Sequence, residues 1–208
     1  MILGFSHLIH ATADAETAIA YWSRRGWTRA WDAPGIPSAP EKWPLMACPA
    51  EEHDLHLLDG PVRIEVVAHD TGTAKGIERI RLSEDRAIVE LTTDDPDLER
   101  RFFREGLRFG GDTDDVSTFS GRLPGWSLSV RPVLVAEAEE TPLDLEGLSC
   151  LAFLSTAPEE DAEALRAHGA RDATGSFGIT VNGRRLRVLM LRSPTGILIE
   201  LVKVEAKP

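Results

Sequence analysis

The sequence of 208 residues contains few cysteines and no long apolar run, and both absences exclude classes of protein. Its two cysteines, Cys48 and Cys150, are too few for a disulfide framework or a zinc cluster, so we expect a reducing compartment. No apolar run approaches the ~20 residues that a membrane-spanning helix needs, and residues 1–10 lack the basic region of a signal peptide. We therefore expect a cytoplasmic protein with no membrane partner.

The sequence also lacks a surplus of positive charge. It has 23 Lys and Arg residues against 34 Asp and Glu residues, a formal net charge of −11. Nucleic acids and anionic membranes attract basic surfaces, so we expect neither as a partner. A Walker loop, a Rossmann glycine fingerprint, a GxSxG elbow and an HExxH helix are absent as well. Their absence weakens interpretations as a kinase, a dehydrogenase or a hydrolase.

What the sequence does contain is one pattern of predicted elements that occurs three times. The pattern is a strand, a helix, a glycine and then two or three antiparallel strands. It occupies residues 1–70, 86–135 and 146–208, which are joined by linkers at 71–85 and 136–145. Such repeated βαβββ units predict an α+β protein whose sheets carry helices on one face.

Local signals support the elements of each unit. Asp14 and Asp95 are plausible N-caps, and Thr156 begins a capping-box spacing, so a helix is predicted to follow each of them. Asp59–Gly60 and Asn182–Gly183 separate apolar-alternating runs and predict two-residue hairpin turns.

The last predicted strand carries a carboxylate where apolar residues are expected. Residues 197–204 read Ile-Leu-Ile-Glu-Leu-Val-Lys-Val, with Glu200 among the apolar side chains. A carboxylate on a buried strand is destabilising by at least a few kcal/mol unless it is paired, hydrogen-bonded or bound to a metal. Glu200 is therefore a candidate functional residue.

The two ends of the chain resemble the vicinal-oxygen-chelate superfamily, which includes glyoxalase I, bleomycin-resistance proteins, fosfomycin-resistance enzymes and extradiol dioxygenases. In FSHLIHATAD, His7 precedes the helix-starting Asp14 by seven residues, and in SPTGILIEL, Glu200 follows Gly196 by four. The resemblance covers the first and third units, and the middle unit only by topology. It implies an open, cup-shaped barrel of mixed β-sheet with the helices outside, and a divalent metal (Zn, Fe, Ni or Mn) held inside the cup.

Carried over by position, the resemblance implies His7 and Glu65 as metal ligands in the first unit, and Cys150 and Glu200 in the third. Cys150 stands where the superfamily usually has histidine. It could ligate a soft metal as thiolate, or it could be a small buried hydrophobe. If Asp59–Gly60 is a two-residue turn, Asp54 pairs with Glu65 and His56 with Arg63, which makes His56 an alternative ligand near Glu65.

Which ligands converge depends on which two units share a barrel. The middle unit has Ile88 and Ser129 at the ligand positions, although Glu90 shares the face of Ile88. Pairing the first two units would bring together His7 and Glu65 with Glu90 or His56, and pairing the last two would leave Glu200 and Glu90. Pairing the first and third gives the most complete set, His7, Glu65, Cys150 and Glu200. Consecutive pairing is commoner in the superfamily, so we expect it; the unpaired unit is then either left over or completed by a second chain, and we expect a homodimer.

A proline-rich loop over residues 31–50 is the remaining feature. Long loops in compact domains are often lids or binding loops. We expect Trp27, Trp31 and Trp43, together with Glu90, to line a substrate pocket, although these tryptophans could instead cover the first helix.

Three functions follow from the resemblance. In the first, a divalent metal acts as Lewis acid on a small oxygenated substrate while Glu65 or Glu200 moves a proton, as in a lyase, an isomerase or a dioxygenase. In the second, the protein is a metal-free, bleomycin-resistance-like binder whose acidic, aromatic cleft sequesters a cationic aromatic drug. The third, which ranks last, is a scaffold with no ligand.

Overall fold

The structure, a computed structural model, describes residues 1–84, 88–113, 116–122 and 126–206. The predicted start of the middle unit at residue 86 and the predicted end of the preceding linker at residue 85 lie outside the described residues. The helices and strands follow each other along the chain in the order that the three predicted units require.

The first unit contains β1 (Ile2–Thr12), α1 (Ala15–Ser23), β2 (Thr28–Pro37), a short 3₁₀ helix (Pro40–Leu45), β3 (Glu52–Asp59) and β4 (Ile64–His69). The segment predicted as the linker 71–85 contains a strand, β5 (Ile80–Leu82). The middle unit contains β6 (Val89–Thr93), α2 (Pro96–Arg101), a π-helical turn (Phe102–Gly106), β7 (Gly110–Thr113), β8 (Val116–Phe119) and β9 (Leu128–Leu134). The third unit contains β10 (Gly147–Ser155), α3 (Pro158–Arg166), β11 (Phe177–Val181), β12 (Arg184–Arg192) and β13 (Leu198–Val204).

The first and third units share one sheet, so the expected pairing of consecutive units is wrong. This sheet has the strand order β11-β12-β13-β10-β1-β4-β3-β2, whereas the strands of the middle unit, together with β5, form a separate sheet with the order β5-β6-β9-β8-β7. At the centre of the large sheet, β1 pairs antiparallel with β10 along nearly its whole length. With five residues, β6 is too short to pair in this way along the eleven residues of β1.

The register within the large sheet relates the first and third units by an approximate twofold axis. His7 pairs with Ala152, and Ile9 pairs with Cys150. Ile9 also lies opposite Glu65 in the parallel strand β4, just as Ala152 lies opposite Glu200 in the parallel strand β13. Glu65 and Glu200 therefore occupy equivalent positions in the two units.

Alternate residues of the strands face two different cores, because successive side chains of a strand point to opposite faces of its sheet. The outer core includes Leu8, Ile64 and Ile199 and is covered by α1 and α3. We call the other set the inner cluster. It lies inside the curved sheet and is formed by Ile9, Ala33, Ile36, Leu45, Met46, Ala50, Leu55, Val67, Leu143, Cys150, Phe177, Val181, Val188, Met190 and Leu198. The predicted class, α+β with a cup-shaped mixed sheet and helices outside, is confirmed.

The α-helices of this protein are short. They have six to nine residues, and within the described residues no helix is long and apolar enough to cross a membrane.

The eight-stranded sheet is completed by a single chain, so the argument from an unpaired unit does not apply to it. The homodimer and the cytoplasmic location stay predictions.

The β3–β4 hairpin has a longer loop than the predicted two-residue turn. β3 ends at Asp59 and β4 begins at Ile64, so that Leu57 lies opposite Glu65 and His56 opposite Val66. The cause is the indole of Trp27, which packs against Gly60 and donates a hydrogen bond to the carbonyl of Val62 at 2.7 Å. The loop therefore follows the outline of a buried tryptophan instead of closing directly.

Candidate active site

The open side of the inner cluster forms a small cavity that both units line. Its volume is about 50 Å³. We call it the cup cavity, and its walls are Ile9, Lys42, His53, Leu55, Glu65, Val67, His69, Leu143, Phe177, Ile179, Val188, Met190 and Glu200. Polar groups from β3, β4, β13 and the 3₁₀ helix thus meet within an otherwise apolar wall.

His7 lies between the two carboxylates. Its Nε2 atom is 3.6 Å from Oε1 of Glu65 and 4.0 Å from Oε2 of Glu200. Its Nδ1 atom is hydrogen-bonded to the Ser6 hydroxyl at 2.9 Å. The Nε2 atom is buried and has no hydrogen-bond partner in the part of the chain that the structure describes. Of the predicted ligands, the structure thus brings His7, Glu65 and Glu200 together around a polar atom that has no fixed partner.

Burial shifts the protonation of all three groups. It raises the pKa of Glu65 to about 7, against the opposing effect of the Lys42 ammonium. The pKa of Glu200 is also raised to about 7, mainly by burial and further by Glu65, while His7 and Lys42 oppose the shift. Burial lowers the pKa of His7, so its imidazole is neutral at neutral pH. The two carboxyl groups consequently titrate in the range where a general acid and a general base both work.

Lys42 brings a positive charge into the same cavity. It lies in the 3₁₀ helix and is only 7% exposed. Its Nζ atom donates a hydrogen bond to Nδ1 of His53 at 3.4 Å. Burial lowers the pKa of Lys42 to about 8, and the attraction of Glu200 and Glu65 limits the decrease.

His53 and His69 complete the polar lining. They are register partners on β3 and β4, with ring centroids 6.0 Å apart. Burial, then Lys42 and then His69 lower the pKa of His53 to about 3, and burial is also the main cause that lowers the pKa of His69 to about 4. Both rings are therefore neutral hydrogen-bonding groups at neutral pH.

Cys150 lies on the inner face of β10 and is fully buried. Burial, reinforced by Glu200, raises the pKa of its thiol well above the usual value. The Sγ atom makes a long contact, 3.8 Å, with the carbonyl oxygen of Leu151. Because only the thiolate is a good metal ligand, this thiol packs as a hydrophobe.

These side chains do not fit the divalent metal that the resemblance implies. Among the described residues, no group of three or more His, Cys, Asp and Glu side chains is arranged to hold a metal ion. The fourth expected ligand, Cys150, does not line the cup cavity, whereas the ammonium of Lys42 lines it together with Glu65 and Glu200. The structure therefore supports no step that passes through a metal.

Two other predicted residues lie away from the cup cavity. His56 is on the opposite face of β3 from the cavity-lining His53 and Leu55, and its Nδ1 atom is 2.6 Å from Oδ1 of Asp32. The prediction that it neighbours Glu65 is wrong, because the longer hairpin loop shifts the register by three residues, and an odd shift moves a side chain to the other face of the strand. Glu90 lies in the sheet of the middle unit, where it forms an ion pair with Arg131 at 2.8 Å.

The three predicted pocket tryptophans do not line the cup cavity either. Trp27 is buried in the outer core against Trp22, with ring centroids 5.1 Å apart. Trp31 packs against the inner cluster from β2, and Trp43 is 38% exposed. Trp27 thus has the structural role that was the alternative prediction.

Three residues of the cavity were not chosen from the sequence. His69 shares the parity of Glu65 and Val67 along β4, so strand alternation alone could have identified it. His53 follows once the hairpin register is known, because it faces His69. Lys42 carried no signal, since it lies in a proline-rich segment without periodicity.

Comparisons with known proteins give structural matches only. No protein-family model and no curated protein matches the sequence. Glyoxalase I from Zea mays is 13% identical with a TM-score of 0.39, covering 96% of this chain and 67% of its own. Methylmalonyl-CoA epimerase from Mycobacterium tuberculosis is 14% identical with a TM-score of 0.43, covering 99% and 91%. A glyoxalase/bleomycin resistance protein from Albidiferax ferrireducens T118 is 18% identical with a TM-score of 0.39, covering 56% and 97%.

All three proteins belong to the superfamily that the ends of this chain resemble. The strand order and register of the large sheet define the fold of this chain. The candidate active site is defined by this chain's own side chains.

Proposed function

We propose that the cup cavity is the active site of an enzyme that moves a proton on a small oxygenated molecule, with Glu65 and Glu200 as the base and the acid. One observation carries the proposal: the buried carboxyl group of Glu200 and the half-buried one of Glu65, at equivalent positions of two paired units, face one cavity with a neutral histidine between them.

The chemistry follows from the charge that the cavity tolerates. Two carboxylates in one apolar site disfavour double ionisation, so near neutral pH one is charged while the other keeps its proton. The charged group can remove a proton from a carbon beside a carbonyl, and the protonated group can deliver one to the product. Isomerisation, epimerisation and elimination all consist of such transfers.

The walls restrict the substrate. A cavity of about 50 Å³ admits only a small molecule or the reacting end of a larger one. Leu55, Val188, Met190 and Phe177 make the walls around the carboxyl groups largely apolar, which strengthens electrostatic interactions inside the cavity. The substrate class that fits is a small carbonyl or 2-oxo compound with an acidic C–H bond.

Proton exchange with the solvent tests the proposal before the product is known. Protein in D₂O is incubated with a panel of small 2-oxo acids, hydroxyketones and thioesters, and deuterium incorporation at carbon is followed by NMR. We expect at least one compound to exchange, with a rate that falls about 100-fold or more in Glu65→Gln or Glu200→Gln. Glu90→Gln, on the other sheet, is the matched control and should leave the rate unchanged. Exchange at the wild-type rate in both cup variants would contradict the assignment.

The alternative, a binder that sequesters cationic aromatic drugs, has less support. The predicted tryptophans lie outside the cup cavity, and Lys42 places a positive charge inside it. A cationic ligand would meet that charge, whereas an anionic or strongly polarised oxygen would be attracted to it.

A further inference from the structure

We propose that Lys42 is the group that binds and polarises the substrate oxygen in the cup cavity, so that the site works without a divalent metal. The inference rests on the proposed function, because it assigns the positive charge that an enolate-like oxygen needs during proton transfer.

The position of the Lys42 ammonium supports this role. Lys42, Glu65 and Glu200 line the same cavity, and both carboxyl groups act electrostatically on the lysine. Among the described residues, no carboxylate oxygen lies within 4.0 Å of Nζ of Lys42, so the ammonium forms no ion pair with them. The charge is therefore close to the proposed acid and base but is not neutralised by direct contact with either.

Lys42 also retains hydrogen-bonding capacity for a ligand. An ammonium group has three donors and no acceptor. One donor is used by Nδ1 of His53, whose neutral ring can accept it. Lys42 has no other side-chain hydrogen bond to the residues that the structure describes, so two donors remain for a ligand inside a cavity whose walls are otherwise largely apolar.

The segment that carries Lys42 is fixed in place by neighbouring residues. Leu45 and Met46 are buried in the inner cluster, and the carbonyl of Leu45 accepts a hydrogen bond from the Leu143 amide at 2.7 Å. The fully buried Asp144 carboxylate accepts hydrogen bonds from the amides of Ala47 at 2.8 Å and Cys48 at 2.6 Å. A charge held by such contacts is preorganised, so little reorganisation is needed when negative charge develops on the substrate.

Binding of oxalate, a small dianion that mimics an enolate, tests the proposal. Titration calorimetry is carried out on the full chain with EDTA present, which separates an ammonium site from a metal site. We expect oxalate to bind in EDTA, and its affinity to fall about tenfold or more in Lys42→Met, as for the loss of a hydrogen bond to a charged group. Lys42→Arg should keep part of the affinity, and Lys75→Met, an exposed lysine in the linker, should keep all of it.

Three results would overturn the proposal: no oxalate binding in EDTA, binding that appears only after zinc is added, or wild-type affinity in Lys42→Met. The first two use wild-type protein alone, so they decide the matter even if a variant fails to fold. Deuterium exchange that is lost in Glu65→Gln but unaffected in Lys42→Met would remove the lysine and leave the proposed function standing. Exchange at the wild-type rate in both Glu65→Gln and Glu200→Gln would remove the proposed function instead.

Discussion

At the scale of single residues, the protein holds two acids in a largely apolar cavity. Glu200 was identified from the sequence because a carboxylate on an apolar strand needs a partner, and the structure shows His7 and Glu65 in its surroundings. His7 and Glu65 were also predicted as site residues, from the positions at which they match the superfamily. Lys42 could not be predicted, since its burial depends on how a segment without periodicity folds over the cup.

The raised pKa values of Glu65 and Glu200 make the stability of the fold depend on pH. An acid whose folded-state pKa is raised from 4.5 to about 7 contributes stability that is full below pH 4.5 and is lost as the pH rises through 7. In Glu200→Gln this loss is absent. Between pH 5 and pH 8 we expect the free energy of unfolding of the wild type to fall relative to that of the variant by about 2 kcal/mol.

Urea unfolding at several pH values measures this difference. Glu90→Gln serves as the control, because Glu90 lies on the other sheet, where it is paired with Arg131, and does not line the cup cavity. A wild type and a Glu200→Gln variant whose stabilities remain parallel from pH 5 to pH 8 would show that Glu200 is not a buried acid.

At the scale of elements, the strands were predicted more reliably than their register. Turn residues and alternation correctly located β3 and β4, because these signals are local. The connection between them depends on Trp27, which is distant in sequence and holds the loop open. That one tertiary contact moved His56 away from Glu65, and no local pattern could have shown it.

The segment from Pro40 to Ala50 depends on Asp144 for its position. Asp144→Ala leaves the amides of Ala47 and Cys48 without their acceptor, so we expect a loss of stability of about 1–3 kcal/mol. We also expect faster amide hydrogen exchange confined to residues 40–50, measured by mass spectrometry. Asp161→Ala, which removes a carboxylate that accepts from Ser155 near α3, is the control and should leave exchange in 40–50 unchanged. Unaltered exchange in Asp144→Ala would mean that packing alone holds the segment.

At the scale of the whole molecule, the middle unit is part of the same core as the large sheet, although it has a separate sheet. Phe153 of β10 meets Phe109 and Phe119 of the middle unit at centroid distances of 6.2 and 5.9 Å. Glu99 of α2 accepts hydrogen bonds from Ser193 and Thr195 in the turn that leads into β13. The order of the three units was predictable from the sequence. Their pairing was not, because it depends on which long strands can match along their full length.

This shared core predicts one cooperative unfolding transition. Phe103 is fully buried and contacts Phe109 at 5.0 Å. Phe103→Ala should destabilise the protein by about 3–5 kcal/mol and lower a single transition, seen equally by tryptophan fluorescence and circular dichroism. Leu134→Ala, at a position that is 68% exposed, should have almost no effect. Two separate transitions, of which Phe103→Ala shifts only one, would contradict a common core.

The central claim is that Glu65 and Glu200 form an acid–base pair inside one cavity, and carbon-detected NMR of the glutamate side chains tests it most directly. We predict two carboxyl signals that titrate near pH 7, one of which disappears in Glu65→Gln and the other in Glu200→Gln. If the signals that these substitutions remove instead titrate near pH 4.5, both acids are ordinary solvated carboxylates and the proposed active site is contradicted.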